Sequence, residues 1–112
     1  MDRREAIQTI VSHCEDEAGF LIQLHVHNTF NAQKYEDLKN AISVYAKSIV
    51  EEANMSRQVA GCLFYLYETL AEVLYILSER YDEAEHSKRE QVVRAHSETF
   101  ELINILFREP EG

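Results

Sequence analysis

Residues 56–80 read SRQVAGCLFYLYETLAEVLYILSER. Within and just ahead of this stretch, Met55, Val59, Cys62, Leu63, Leu66, Leu70, Val73 and Leu77 recur at intervals of three and four, the period of one helix face. Phe64, Tyr67, Ala71 and Tyr75 form a second, adjoining row. The polar wedge that remains is narrow: Arg57, Gly61, Glu68 and Glu72. A helix with so little polar surface is expected to be central in its domain or packed on two sides.

Upstream, Tyr35, Leu38, Ile42, Tyr45 and Ile49 make a clean stripe, with Lys34, Lys39, Asn40, Ser43, Lys47 and Glu51 on the wet side. Asn31 is placed to cap this helix. Asn54-Met55-Ser56 is a weak break before the central helix. A turn is expected there, because one helix of about 45 residues is unusual in a small domain. The first helix is read from residue 2 to about residue 28. Asp2-Arg3-Arg4-Glu5 fits a capping box, and Ile7, Val11, Cys14, Ala18, Leu21 and His25 form its stripe. Gly19, inside it, costs helix propensity and permits close approach of a neighbour. Downstream, residues 81–86 are acidic and polar. Ser87-Lys88-Arg89-Glu90 is a second capping box and opens the last helix, with Val92, His96, Phe100, Ile103 and Phe107 as its stripe and Pro110 as its stop.

Four amphipathic segments joined by short connections define an all-α fold, an antiparallel four-helix bundle running up-down-up-down, with residues 1–112 as one domain. Composition agrees. The chain has three glycines, one proline and no Asn-Gly or Asp-Gly pair, so tight hairpins between strands lack their usual turn residues.

Twenty acidic against eleven basic residues leave a formal charge of −9. Direct nucleic-acid binding and docking on an anionic membrane both require a basic face, so neither is expected; a basic or neutral protein partner is. The charge is uneven. Residues 1–30 carry five acids and two bases (−3), and residues 81–112 carry eight acids and four bases (−4). One side of the bundle would thus be the more acidic and would steer a basic partner. The charged start of the chain is unlike a signal peptide, and no run of 18 apolar residues is present, so a cytoplasmic protein without a membrane span is expected. Cys14 and Cys62, distant in sequence and each on a core stripe, read as inert apolar residues in a reducing compartment.

No catalytic signature is present: no phosphate-binding loop, no G-x-S-x-G, no H-E-x-x-H. No enzymatic activity and no cofactor are expected. A metal site in a bundle requires Glu-x-x-His on each of two helices. Only Glu83-Ala84-Glu85-His86 has that spacing, and it falls at a helix junction. His13, Glu17, Glu68 and His96 are the alternative set that would have to share a layer to hold a metal or small ligand. His25 and His96, on apolar stripes, read as neutral imidazoles bonded to a tyrosine, carboxylate or carbonyl. The surplus face of the central helix, Phe64, Tyr67, Glu68, Ala71 and Tyr75, is the expected partner interface, and the simplest partner is a second copy in a symmetric homodimer. The expected function is that of a small acidic protein-interaction module of the adaptor, inhibitor or immunity type.

Overall fold

The structure, a computed structural model, describes residues 1–50, 54–79 and 83–107, at positions 78, 79 and 83–85 for the backbone alone. The described residues form five helical segments and no strands: α1 (Arg3–Glu15), α2 (Phe20–His27), α3 (Ala32–Ser48), α4 (Arg57–Glu79) and α5 (Glu83–Leu106). Glu51 of the expected wet face, the start of the acidic stretch at Tyr81-Asp82 and the expected stop at Pro110 lie outside the described residues.

The chain is an all-α helical bundle. α1 packs on α3, and α4 packs on α5. Both pairs run antiparallel. Arg3 at the start of α1 bonds Ser48 at the end of α3, while Lys34 near the start of α3 bonds the Ala18 carbonyl beyond the end of α1. Phe64 early in α4 meets Phe107 just past α5, and Tyr67 meets Phe100 and His96. The two hairpins join through α1 against α4 and α3 against α5, and among the described residues α3 and α4 do not pack on each other. α3 and α4 therefore stand at opposite corners of the bundle. A thickness of 19 Å is about two helix diameters, as two packed layers require.

The caps follow the sequence. Asp2 Oδ1 accepts the Glu5 backbone N–H at 2.8 Å, and Asn31 Oδ1 accepts that of Lys34 at 3.0 Å. Ser56 Oγ accepts the Val59 N–H at 3.3 Å to open α4, while the Tyr45 hydroxyl accepts the Ser56 N–H at 2.8 Å and fixes the turn before it. α5 starts one turn before the expected Ser87 cap, because Glu-Ala-Glu are strong helix formers and simply extend it. His86 instead pairs with Glu90 one turn on, at 3.1 Å.

The largest departure lies in the first helix, which is two. Asp16 leaves helical geometry (φ −78°, ψ 145°), and its carboxylate takes the Ser12 hydroxyl at 2.8 Å. The chain then folds back so tightly that a Cβ on Gly19 would stand 2.5 Å from the Ser12 carbonyl oxygen. The Phe20 N–H, one of the donors that begin α2, reaches His13 Nδ1 at 3.4 Å. Cys14 and Leu21 of the expected stripe are buried, with Ala6 and Ile10 ahead of them and Phe20 and Leu24 beside Leu21; Ile7 and Val11 are partly buried against the core, and the break leaves Ala18 and His25 exposed.

The core row of α4 is as expected: Val59, Cys62, Leu63, Leu66, Leu70, Val73 and Leu77 are all buried. By length and composition alone Arg57–Leu77 is apolar enough to cross a membrane, with mean hydropathy 1.4, contrary to the expectation that no segment is. In the bundle the same composition serves a helix packed against α1, α2 and α5.

Gly19→Ala is expected to destabilise the fold by about 2 kcal/mol or more, since backbone must move to admit the methyl group. Gly61→Ala, where open space surrounds the Cβ position in the interior of α4, should stabilise by about 0.5–1 kcal/mol. Urea unfolding of both variants checks the contrast.

Candidate functional site

The last helix keeps Val92 and Ile103 of its expected stripe against the core but turns Phe100 and Phe107 away from it. Val92, Ala95 and Thr99 are buried, with Leu102 and Leu106 packed beside them, whereas Phe100 and Phe107 point out. Small residues at 95 and 99 leave room for the large apolar residues of the core, and the aromatics turn towards α4. There they meet the second row of that helix. Phe64 and Phe107 have ring centroids 5.7 Å apart, Tyr67 and His96 4.7 Å, and Tyr67 and Phe100 6.3 Å. Phe64 is 58% exposed, Tyr75 64%, Phe100 51% and Phe107 46%, and Glu68 borders them in solvent. Tyr67 and Ala71 are half-buried. An aromatic seam thus runs along the outer groove between α4 and α5, with its α4 side formed by the expected residues. Its α5 side escaped the sequence reading because two rows on that helix share the same spacing. Ala95 and Thr99, small and offset by one from His96 and Phe100, were the signal.

The alternative metal set is not assembled. His13, at the end of α1, faces Lys34 and Asp37 of α3, and burial lowers its pKa. Glu17 lies in the break after α1, where its carbonyl takes the Gln23 amide at 2.7 Å. Glu68 and His96 belong to the outer side of α4 and α5, and α1 does not pack on α5. Among the described residues no three His, Cys, Asp or Glu side chains converge on a common point.

Two polar clusters lie elsewhere. On the α2–α4 side, His25 Nδ1 meets the Tyr65 hydroxyl at 3.2 Å and His25 Nε2 lies 3.9 Å from Glu72, the tyrosine-and-carboxylate setting expected for this imidazole, though on the surface. Between α3 and α5, Glu98 accepts hydrogen bonds from Tyr35 Oη (3.1 Å), Lys39 Nζ (2.8 Å) and Arg94 Nε (2.6 Å). Burial opposes its ionisation, but these three donors outweigh that and hold its carboxyl below the usual range. The same contact raises Lys39, and burial together with Glu98 pushes the Tyr35 hydroxyl up. An open, mostly polar groove of about 310 Å³ beside this cluster is lined by residues such as Asn40, Ser43 and Glu101. Of its charged groups, Glu36 and Glu98 are both paired with Lys39.

The cysteines, far apart in sequence, are neighbours. The Cys14 thiol donates to the Cys62 carbonyl oxygen at 3.8 Å, and both residues are buried.

The chain matches no protein-family model, and no similar chain is found among curated proteins or solved structures.

Because the Glu98 carboxyl is depressed in the folded chain, its contribution is present above the carboxylate range and is lost as pH falls through its folded pKa. Glu98→Gln should therefore cost about 1–2 kcal/mol at neutral pH and flatten the acid limb of the stability profile. Denaturant titrations from neutral to acidic pH measure both effects.

Proposed function

We propose that this protein is a small, non-enzymatic protein-interaction module that associates through the α4–α5 seam, first with a second copy of itself. The observation that carries the reading is the seam: four aromatic side chains, each about half exposed or more, on two adjacent helices of a chain that already has a filled core. An aromatic side chain presents roughly 150–250 Å² when fully accessible, so these four offer on the order of 400 Å². A stable interface buries about 800 Å² per partner, and half-buried Tyr67 and Ala71 with exposed Val93 extend the patch towards that size. A two-fold axis across the seam sets like against like, which apolar surface accepts and charged surface does not.

The acidic remainder then serves a second partner. With 20 acids and 11 bases, the surface outside the seam favours a basic protein, in the manner of an adaptor, inhibitor or immunity protein. Two free thiols and the absence of a disulfide among the described residues suit a cytoplasmic location.

Light scattering after size exclusion is expected to return twice the chain mass for the wild type and the single-chain mass for Phe64→Glu and Phe100→Glu, with unchanged helicity. A wild type that is monomeric at high concentration removes the self-association. Salt separates the two contacts. Screening should strengthen the dimer, whose halves repel each other at −9 apiece, and weaken binding to a basic partner.

A further inference from the structure

The chain has two cysteines, and the fold sets them against each other from helices that are 48 positions apart in sequence. We propose that Cys14 and Cys62 form a peroxide-responsive thiol pair, which oxidation closes into an intramolecular disulfide stapling α1 to α4. The site is independent of the aromatic seam and does not rest on the reading above.

The geometry sets the Cys14 thiol against Cys62, its Sγ 3.8 Å from the Cys62 carbonyl oxygen. Cys14 is third in the buried row Ala6, Ile10, Cys14 of α1, and Cys62 stands in the buried row of α4 between Val59 and Leu66. These rows meet where α1 packs on α4, so both side chains point into one interface.

The pair is also asymmetric, and the asymmetry orders the chemistry. The Cys14 thiol donates to the Cys62 backbone carbonyl, which favours its neutral form; Cys14 is raised and Cys62, against the opposing effect of burial, is lowered. Cys62 is thus the sulfur better able to carry negative charge, and it is the slightly less buried of the two, at 5% exposed against 2%. Thiolate, not thiol, is the nucleophile. Hydrogen peroxide is small and uncharged, and a local opening of the α1–α4 contact admits it.

In the first step the Cys62 thiolate attacks one peroxide oxygen. An S–O bond forms, the O–O bond breaks, and the hydroxide released takes up a proton to leave as water. Cys62 is now a sulfenic acid. In the second step the Cys14 sulfur attacks the Cys62 sulfur. The S–S bond forms, the S–O bond breaks, and the departing hydroxide takes the Cys14 proton and leaves as a second water. Two thiols are oxidised and one peroxide is reduced to two waters.

The test is intact-mass measurement of the full chain, unreduced, after exposure to hydrogen peroxide. The expected product has lost two hydrogen atoms, remains a single chain, and yields on proteolysis one linked peptide pair holding Cys14 and Cys62. Its melting temperature should rise by on the order of 10 °C, and a thiol reductant should reverse the rise. Cys14→Ser should stop at the Cys62 sulfenic acid, trapped by a 1,3-diketone, whereas Cys62→Ser should react far more slowly. Wild-type protein that gains oxygen on either cysteine without forming the link, that forms only an intermolecular disulfide, or that stays unmodified after both peroxide and a thiol-specific oxidant would overturn the proposal. Because the decisive reading is on the wild type, it does not depend on either variant folding.

Discussion

Everything in this fold answers to the need to cover α4. That helix carries a continuous buried row from Val59 to Leu77 and a second apolar row beside it. The first row is met by α1 and α2 on one side and α5 on the other, and its burial supplies the main driving force for joining the two hairpins. The second row has only one neighbour, the outer edge of α5. Among the described residues no further helix lies over it. The fold resolves the conflict by gathering the remaining aromatics of α5 against those of α4, so that rings cover rings in part and the rest meets solvent.

Much of this was legible from residues alone. The α4 row stands out because leucines and valines at three-and-four spacing have one geometric interpretation, and the caps at Asp2 and Asn31 stand out because short polar side chains before a helix have a specific use. Two features were hidden for physical reasons. The break between α1 and α2 contains no proline and only one glycine; a Ser12–Asp16 bond and a close backbone approach at Gly19 end the helix, and neither is marked by a strong breaker residue. The inward face of α5 was ambiguous because two rows, one small and one aromatic, have equal periodicity. Hydrophobicity favours the aromatic row, but packing volume selects the small one.

The candidate sites divide in the same way. The α4 half of the seam could be written down from spacing, since a helix with too much apolar surface says so in one dimension. The meeting of Cys14 with Cys62 could not, because they lie 48 positions apart and no local pattern encodes the crossing of α1 and α4. The Glu98 cluster belongs with the cysteines. Tyr35 and Lys39 lie on opposite sides of the expected α3 stripe boundary, and only the parallel approach of α5 places one carboxylate between them.

Among the described residues α3 and α4 stand at opposite corners of the bundle, and this gives the chain an unusual division of labour. Each antiparallel hairpin closes contacts within its own stretch of chain, so each can assemble on its own account before the halves meet. Their covalent connection holds one hairpin at high effective concentration around the other, turning what would be a bimolecular encounter into a search within a few nanometres. In that sense the protein is a tethered pair of unlike halves: the tether brings them within reach, and the buried row of α4 makes the union last.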